Sequence, residues 1–416
     1  MTASSALHTD HYELTMLEAA LGAGTAGEPA TFEVFTRAVP QGRRFGVFAG
    51  LGRLLDLLER FTFGPDELGW LEAARVVGQR TLDWLGSYRF SGDIHAYAEG
   101  DLYTGGSPVL TVEGTFGEAV LLETLVLSVL NHDSAVAAAA SLIVEAAGGR
   151  PLIEMGSRRT DAEAAVAAAR AAYLGGFDSS SNLEAGRRYG VPTAGTAAHA
   201  FIQSFSDEKA AFVAQVAAAG SGTTLLVDTY DTERGICNAV EVAGPGLGAI
   251  RIDSGDLVVE AERARSLLDS LGATNTRVVI TGDLDDEKIR SLSDSPADAY
   301  GVGTSVVTGL GSPTAGFVYK LAVMSGRSVS KKSPGKVTVG GRKWAWRIAD
   351  ACQELVSLSP EPSPPGGRPL QSCVVRAGKR LEAPTLVESR EHHRRAWGEL
   401  PPAKPLELVF RSAPTA

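Results

Sequence analysis

Residues 248–281 read GAIRIDSGDLVVEAERARSLLDSLGATNTRVVIT. An apolar run, GAIRI, gives way to a polar knot, DSGD. Asp256 opens a helical stretch, Gly272 stops it, and a second apolar run, RVVIT, follows. Two strands joined through a helix lie parallel, because the crossover returns the chain to the same end of the sheet. Reading outward, the unit recurs. Apolar runs at PLIEM (151–155), VPTAG (191–195), TLLVD (224–228) and AYGVG (299–303) are each followed by sequence of helical character. Thr160 and Glu163 make a capping-box pattern ahead of an Ala-rich segment that stops at Gly175-Gly176, and Ser206 opens another that ends near Gly220. Five or more such units between residues 131 and 325 predict an α/β fold with a parallel sheet and favour an irregular, TIM-like barrel over an open sheet, a choice that periodicity alone does not decide.

The flanks read differently. In residues 1–130, TFEVFTR (31–37) alternates as a strand does, helical periodicity runs from Leu51 to about Leu85, and residues 93–114 hold strand-like stretches split by Gly and Pro. Residues 326–416 lose the strand–helix repeat. They contain a basic stretch with Lys331, Lys332, Lys336, Arg342 and Lys343, then a loop, PEPSPPGGRP (360–369). The two flanks are expected to pack together as a smaller α+β domain. With 39 basic and 49 acidic residues the formal charge is −10, so bulk electrostatics argue against a nucleic-acid partner. Cys237, Cys352 and Cys373 show neither CxxC spacing nor a nearby His pair, which argues against a disulfide framework or a zinc site and suits the cytoplasm. The first twenty residues carry His8, Asp10, His11, Glu13 and Glu18 and do not form a signal peptide. Leu121 to Ala147 is apolar but interrupted by Glu123 and by Asn131-His132-Asp133, which predicts two buried helices rather than a membrane span.

Polar residues gather where the predicted strands end: EMGSRRT (154–160), FDSSSN (177–182), GTAAHAF (195–201), VDTYDT (227–232), RIDSGD (251–256), TGDLDD (281–286) and GVGTS (301–305). In a barrel that rim carries the active site. Gly282, Asp283, Gly303 and Thr304 follow the last two strands, where glycine lets backbone N–H groups approach a phosphate; the bland alternative is a pair of tight turns. Arg251 and Asp253 alternate on one strand end. The Arg suits phosphate oxygens and the Asp suits ribose hydroxyls or Mg²⁺, against the alternative of a structural ion pair. Arg158 and Arg159 form an anion clamp or a pair of exposed charges. His199 sits among small residues and offers a nucleophile or acid/base. Ser180, Ser181, Asn182, Asp228 and Ser254 are further substrate-binding candidates on the same rim. Neither a P-loop nor a GxGxxG after a strand is present.

Taken in order, TDHYELTM (9–16), FTR (35–37), EMGSRR (154–159), GGFDSSSN (175–182), GTAAHAF (195–201), LVDTYDT (226–232), RIDSGDL (251–257), TGDLD (281–285) and YGVGTS (300–305) resemble the nicotinate phosphoribosyltransferases. The resemblance covers nearly all of residues 8 to 325. It implies an irregular α/β barrel with a second domain from both termini, assembled as a homodimer whose active sites are shared between subunits. It implies that nicotinate is joined to phosphoribosyl pyrophosphate (PRPP) with ATP and Mg²⁺, giving nicotinate mononucleotide and pyrophosphate in NAD biosynthesis. By the same resemblance His199 is the histidine phosphorylated by ATP, and Arg158, Arg251 and Asp253 hold substrate and PRPP. Gly282, Asp283, Gly303 and Thr304 bind the 5′-phosphate. Tyr12, from the partner, stacks on the pyridine, and Arg37, Lys331 and Lys336 face pyrophosphate. The chain departs from many relatives in lacking a Lys within 134–142 and in having Met155 where an aromatic is common. The alternatives are a nicotinamide or quinolinate phosphoribosyltransferase, or a non-catalytic PRPP-binding homologue. Ser180, Ser181 and Asn182 stand where an Asp favours the amide, and the histidine of GTAAHAF argues against the quinolinate class.

Overall fold

Branched and apolar residues buried on both faces make parallel strands of the expected runs. The computed structural model describes residues 4–40, 42–331, 338–360, 363–400 and 404–411. Its chain falls into two units, Val136–Pro313 and Met1–Ala135 joined by Thr314–Ala416. In the first unit lie β1 (Leu152–Glu154), β2 (Ser179–Ser180), β3 (Thr224–Leu226), β4 (Ala249–Ile252), β5 (Arg277–Ile280) and β6 (Ala299–Val302). They form one sheet in the order β2-β1-β6-β5-β4-β3, every pair parallel. Chain neighbours pair throughout except β2 and β3, which form the two edges, and the last strand, β6, pairs with the first, β1.

The ring is not closed by backbone hydrogen bonds among the described residues. VPTAG, expected to be a full strand, contributes a single bridge from Thr193 to Ser180. The reason is local: Pro192 has no N–H to give to a ladder, and Thr196, just beyond, is drawn instead to the Arg251 side chain at 2.7 Å. What forms is an α/β half-barrel.

The connecting helices are Ala162–Leu174, Glu208–Ala219, Thr232–Ala243 and Leu257–Ser270. Asp161, Asp207, Asp231 and Asp256 cap their N-termini, each carboxylate accepting a backbone N–H of the first turn. Asp256 is the predicted cap. The first two fall one residue after Thr160 and Ser206, because the carboxylate that follows is the stronger acceptor for the exposed N–H groups. In the helix Thr232–Ala243, buried Gly235 sits against the Val227 carbonyl so closely that any Cβ there overlaps it.

The second unit takes more than half of the chain, so the domain from the two termini is the larger, not the smaller, of the pair. Its seven-stranded antiparallel sheet places Pro29–Thr36 between Phe317–Met324 and Leu110–Thr115. Asp93–Tyr97 and Gln371–Arg376 continue the sheet beyond Leu110–Thr115. A four-stranded sheet contains Trp344–Ile348 and Gln353–Ser357, the latter paired in parallel with Glu407–Arg411. The helical periodicity of Leu51 to Leu85 becomes three helices, Leu51–Leu58, Pro65–Ala73 and Gln79–Gly86.

The apolar stretch after Leu121 differs from expectation. Glu123–Ala147 is one unbroken helix, preceded by the short Phe116–Val120. Asn131 does not interrupt it, because its side chain finds tertiary partners: the amide oxygen accepts from Phe317 N at 2.7 Å and Thr314 Oγ1 at 2.9 Å. Asp133 likewise accepts from Arg53 at 2.5 Å. By length and composition alone Phe116–Ala147 would cross a membrane, but 72% of its most apolar window is buried inside the protein. From Ser134 to Ser141 every residue is buried.

A methyl added at Gly235 must displace backbone. Gly235→Ala is expected to cost about 1–3 kcal/mol, read as a lower Tm in a thermal melt; an unchanged Tm would show that helix and strand end can move apart freely.

Candidate active site

The C-terminal ends of β1, β4, β5 and β6 surround a cleft of about 150 Å³ lined by Met155, Arg158, Arg159, Arg251, Asp253, Thr281, Gly282, Asp283, Gly301, Gly303 and Thr304. Eight of these were legible as candidates from sequence alone. Thr281, Met155 and Gly301 complete the lining.

Arg251 is the most constrained of them. Burial leaves its guanidinium little water, so it must find acceptors within the protein. Nε donates to Thr281 Oγ1 at 2.9 Å, Nη1 to Thr196 Oγ1 at 2.7 Å and the Ala197 carbonyl at 3.3 Å, and Nη2 to Asp253 Oδ1 at 3.1 Å. The Thr281 hydroxyl donates to the same Asp253 oxygen. Burial pushes the Asp253 carboxyl upward, but the Thr281 hydroxyl, the Arg251 guanidinium and His199 together hold it below the usual range. Its second oxygen, Oδ2, faces His199 Nε2 at 4.0 Å. The other ring nitrogen of His199 lies 3.1 Å from Thr229 Oγ1. His199 begins the helix His199–Gln203 and its side chain is 39% exposed.

Asp228 braces this arrangement from below. Its Oδ2 accepts Asp253 N at 2.8 Å and Ser254 Oγ at 2.7 Å, which fixes the turn after β4. Its Oδ1 is buried and has no hydrogen-bond partner. Gly282 packs its α-carbon on the Asp253 carbonyl at φ +111°, a position that only glycine takes without strain. Asp283 follows at φ +48°, so the turn after β5 stays wound tight. Ser305 donates to the Leu284 carbonyl and ties the turn after β6 to the one after β5. Arg158 and Arg159 are exposed, and neither side chain meets an anionic or polar partner among the described residues.

The Ser180 group has a different task. Ser180 is buried and its hydroxyl donates to Glu154 Oε2 at 2.5 Å, while Asn182 N donates back to Ser180 Oγ at 2.9 Å. Asn182 Oδ1 accepts Ala185 N at 2.9 Å and its amide donates to Ser157 Oγ at 3.0 Å. Ser181 is exposed. Glu154, which sequence reading passed over, holds the segment together: its other oxygen accepts Gly156 N. Burial drives the Glu154 carboxyl upward against the opposing effect of both donors.

Tyr12, Arg37 and Lys331 belong to the second unit; Lys336 lies outside the described residues. The Tyr12 ring is 44% exposed, and burial of its hydroxyl together with Glu123 and Glu13 pushes its pKa up to about 12. Arg37 is exposed and lines a cleft of about 400 Å³ in that unit with Glu33, Phe35 and Lys343. The basic stretch is partly committed inside the fold: Lys343 pairs with buried Glu33 at 2.6 Å and Arg342 with Glu113 at 2.8 Å.

Glu154→Ala strips the acceptor from Gly156 N and the Ser180 hydroxyl and is expected to cost about 1–3 kcal/mol. A carboxyl raised by burial lends stability at pH values below its unfolded pKa and loses it as pH climbs through its folded pKa. Glu154→Gln should therefore gain on the parent chain as the pH rises above the ordinary carboxylate range; melts that keep a constant difference as the pH rises would contradict this.

The chain is similar to proteins of known family. The family model for the nicotinate phosphoribosyltransferase (NAPRTase) N-terminal domain matches residues 7–131. Nicotinate phosphoribosyltransferase pncB1 of Mycobacterium tuberculosis is 55% identical over 402 residues, covering 92% of this chain and 89% of its own. The Bacillus subtilis nicotinate phosphoribosyltransferase is 37% identical over 360 residues, covering 83% and 73%. The crystal structure of human nicotinic acid phosphoribosyltransferase superposes with a TM-score of 0.85 at 27% identity, covering 98% of this chain and 97% of that one. On the strength of this identity and coverage, the chain belongs to the nicotinate phosphoribosyltransferase family.

Proposed function

We propose that the protein joins nicotinate to PRPP, releasing nicotinate mononucleotide and pyrophosphate for NAD biosynthesis. The observation that carries this reading is the cleft itself, which unpaired Arg158 and Arg159 line together with the Arg251–Asp253 pair and the glycine turns at Gly282 and Gly303. That combination suits an anionic ring acid beside a sugar phosphate. The pyridine nitrogen attacks the anomeric carbon, the bond from that carbon to the pyrophosphate oxygen breaks, and its electron pair leaves with pyrophosphate. The ring nitrogen already carries a lone pair, so the protein's task is to position the reactants and neutralise charge. Asp253 would hold ribose hydroxyls, the turn amides at Gly282, Asp283, Gly303 and Thr304 the 5′-phosphate, and Arg158 or Arg251 the nicotinate carboxylate. Ser181, Ser254 and the Ser180–Asn182 segment shape the rim around them. Arg37, Lys331 and Lys336 would meet pyrophosphate.

The donors present fit Mg²⁺ carried in on PRPP. Among the described residues no cluster of three or more His, Cys, Asp or Glu forms a dedicated metal cage. The unpartnered Asp228 Oδ1 and the free edge of Asp253 are the hard oxygen donors that such an ion takes one or two at a time. Bound there, Mg²⁺ would supply charge neutralisation to the leaving group.

ATP enters the proposal through His199, whose partly open ring can accept a phosphoryl group as ADP departs and lose it to water afterwards. Such a cycle would couple ATP cleavage to PRPP affinity. The exposed Tyr12 ring supports a homodimer in which it stacks on the partner's pyridine. Three free cysteines suit the cytoplasm. The cyclic strand order supports a barrel whose gap between Thr193 and β3 is spanned by the Arg251 side chain rather than by backbone.

Incubation with labelled nicotinate, PRPP, Mg²⁺ and ATP is expected to give nicotinate mononucleotide. Use of nicotinamide or quinolinate in its place, or PRPP binding without pyrophosphate release, would overturn the assignment. His199→Ala should retain a slow ATP-independent reaction and lose PRPP-stimulated ATP hydrolysis; undiminished stimulation would remove His199 from the scheme.

A further inference from the structure

We infer that Thr281 is a positioning residue for the phosphoribosyl-transfer reaction, its hydroxyl setting the angle at which Asp253 and Arg251 meet PRPP. The inference rests on the activity proposed above.

Thr281 follows β5 directly and is 3% exposed, so its hydroxyl has no water to fall back on. The parallel register places Ile280 beside Ile252, which sets Thr281 alongside Asp253. Its oxygen accepts Arg251 Nε at 2.9 Å, and its proton goes to Asp253 Oδ1. Arg251 Nη2 reaches the same carboxylate oxygen at 3.1 Å. Hydroxyl, guanidinium and carboxylate thus close a three-membered ring across two strand ends. The ring saturates Oδ1 and turns Oδ2 toward His199. A guanidinium and a carboxylate alone have several ways to meet. A hydroxyl that accepts from one and donates to the other selects a single one of them.

The methyl group matters less. Thr281 Cγ2 lies against Gly301, whose missing side chain makes room for it. The requirement is for an oxygen that both donates and accepts, which Ser meets and Val does not.

The test compares Thr281→Val, Thr281→Ser, Asp253→Asn and the double variant Thr281→Val/Asp253→Asn, each checked for folding by its melt. Steady-state rates are measured against PRPP and against nicotinate. Thr281→Val is expected to lower kcat/KM for PRPP about tenfold or more, and Thr281→Ser less than threefold. In the Asp253→Asn background the loss caused by Thr281→Val should shrink or vanish. Equal losses with and without Asp253, or an equal fall for Ser and Val, would overturn the positioning role and leave Thr281 a packing residue. A parent chain that forms no nicotinate mononucleotide would instead overturn the activity, so the two failures are distinguishable.

Discussion

A guanidinium that has given up most of its water needs an acceptor for every N–H it hides, and that demand at Arg251 organises the candidate site. Its three nitrogens reach Thr281, Thr196, Ala197 and Asp253, residues that come from two neighbouring strand ends and from the segment leading to His199. Removing any of these partners would leave a buried donor unmet. The cleft is thus shaped by one cation's need for satisfaction as much as by the strands beneath it. Asp228 answers the same logic on the other side of the turn, accepting the Asp253 amide and the Ser254 hydroxyl with one oxygen and keeping the other in reserve.

Much of this was readable in the residues. Apolar runs punctuated by Gly272 and by acidic cap residues identify parallel strands joined by helices, and the polar clusters after each run identify the rim. Local signals of this kind depend on periodicity and on backbone chemistry within a few residues, which a sequence displays directly. The family resemblance supplied the proposed role of His199, which its flanking small residues alone would have left open.

What stayed hidden depends on distance along the chain. Thr281 matters because the register of β4 and β5 sets it beside Asp253, and no local pattern reports a register. Glu154 read only as the start of the polar strand end EMGSRRT, with no partner named; its value comes from Ser180, on the next strand. Asn131-His132-Asp133 looked like a helix break until Phe317, Thr314 and Arg53 were seen to satisfy it. VPTAG looked like a strand, but Pro192 and the pull of Arg251 on Thr196 reduce it to a single bridge.

The sheet that pairs Pro29–Thr36 with Phe317–Met324 has a bearing on how the molecule is made. During synthesis the early strand leaves the ribosome long before its partner exists, whereas Gln353–Ser357 waits over a much shorter stretch of chain for Glu407–Arg411. Among the described residues, every strand that pairs with a strand of Val136–Pro313, by contrast, lies within that stretch. Vectorial translation therefore favours an order in which the inserted segment matures first, while the amino-terminal third remains an unfinished edge open to chaperones until Phe317–Met324 and Gln371–Arg376 arrive.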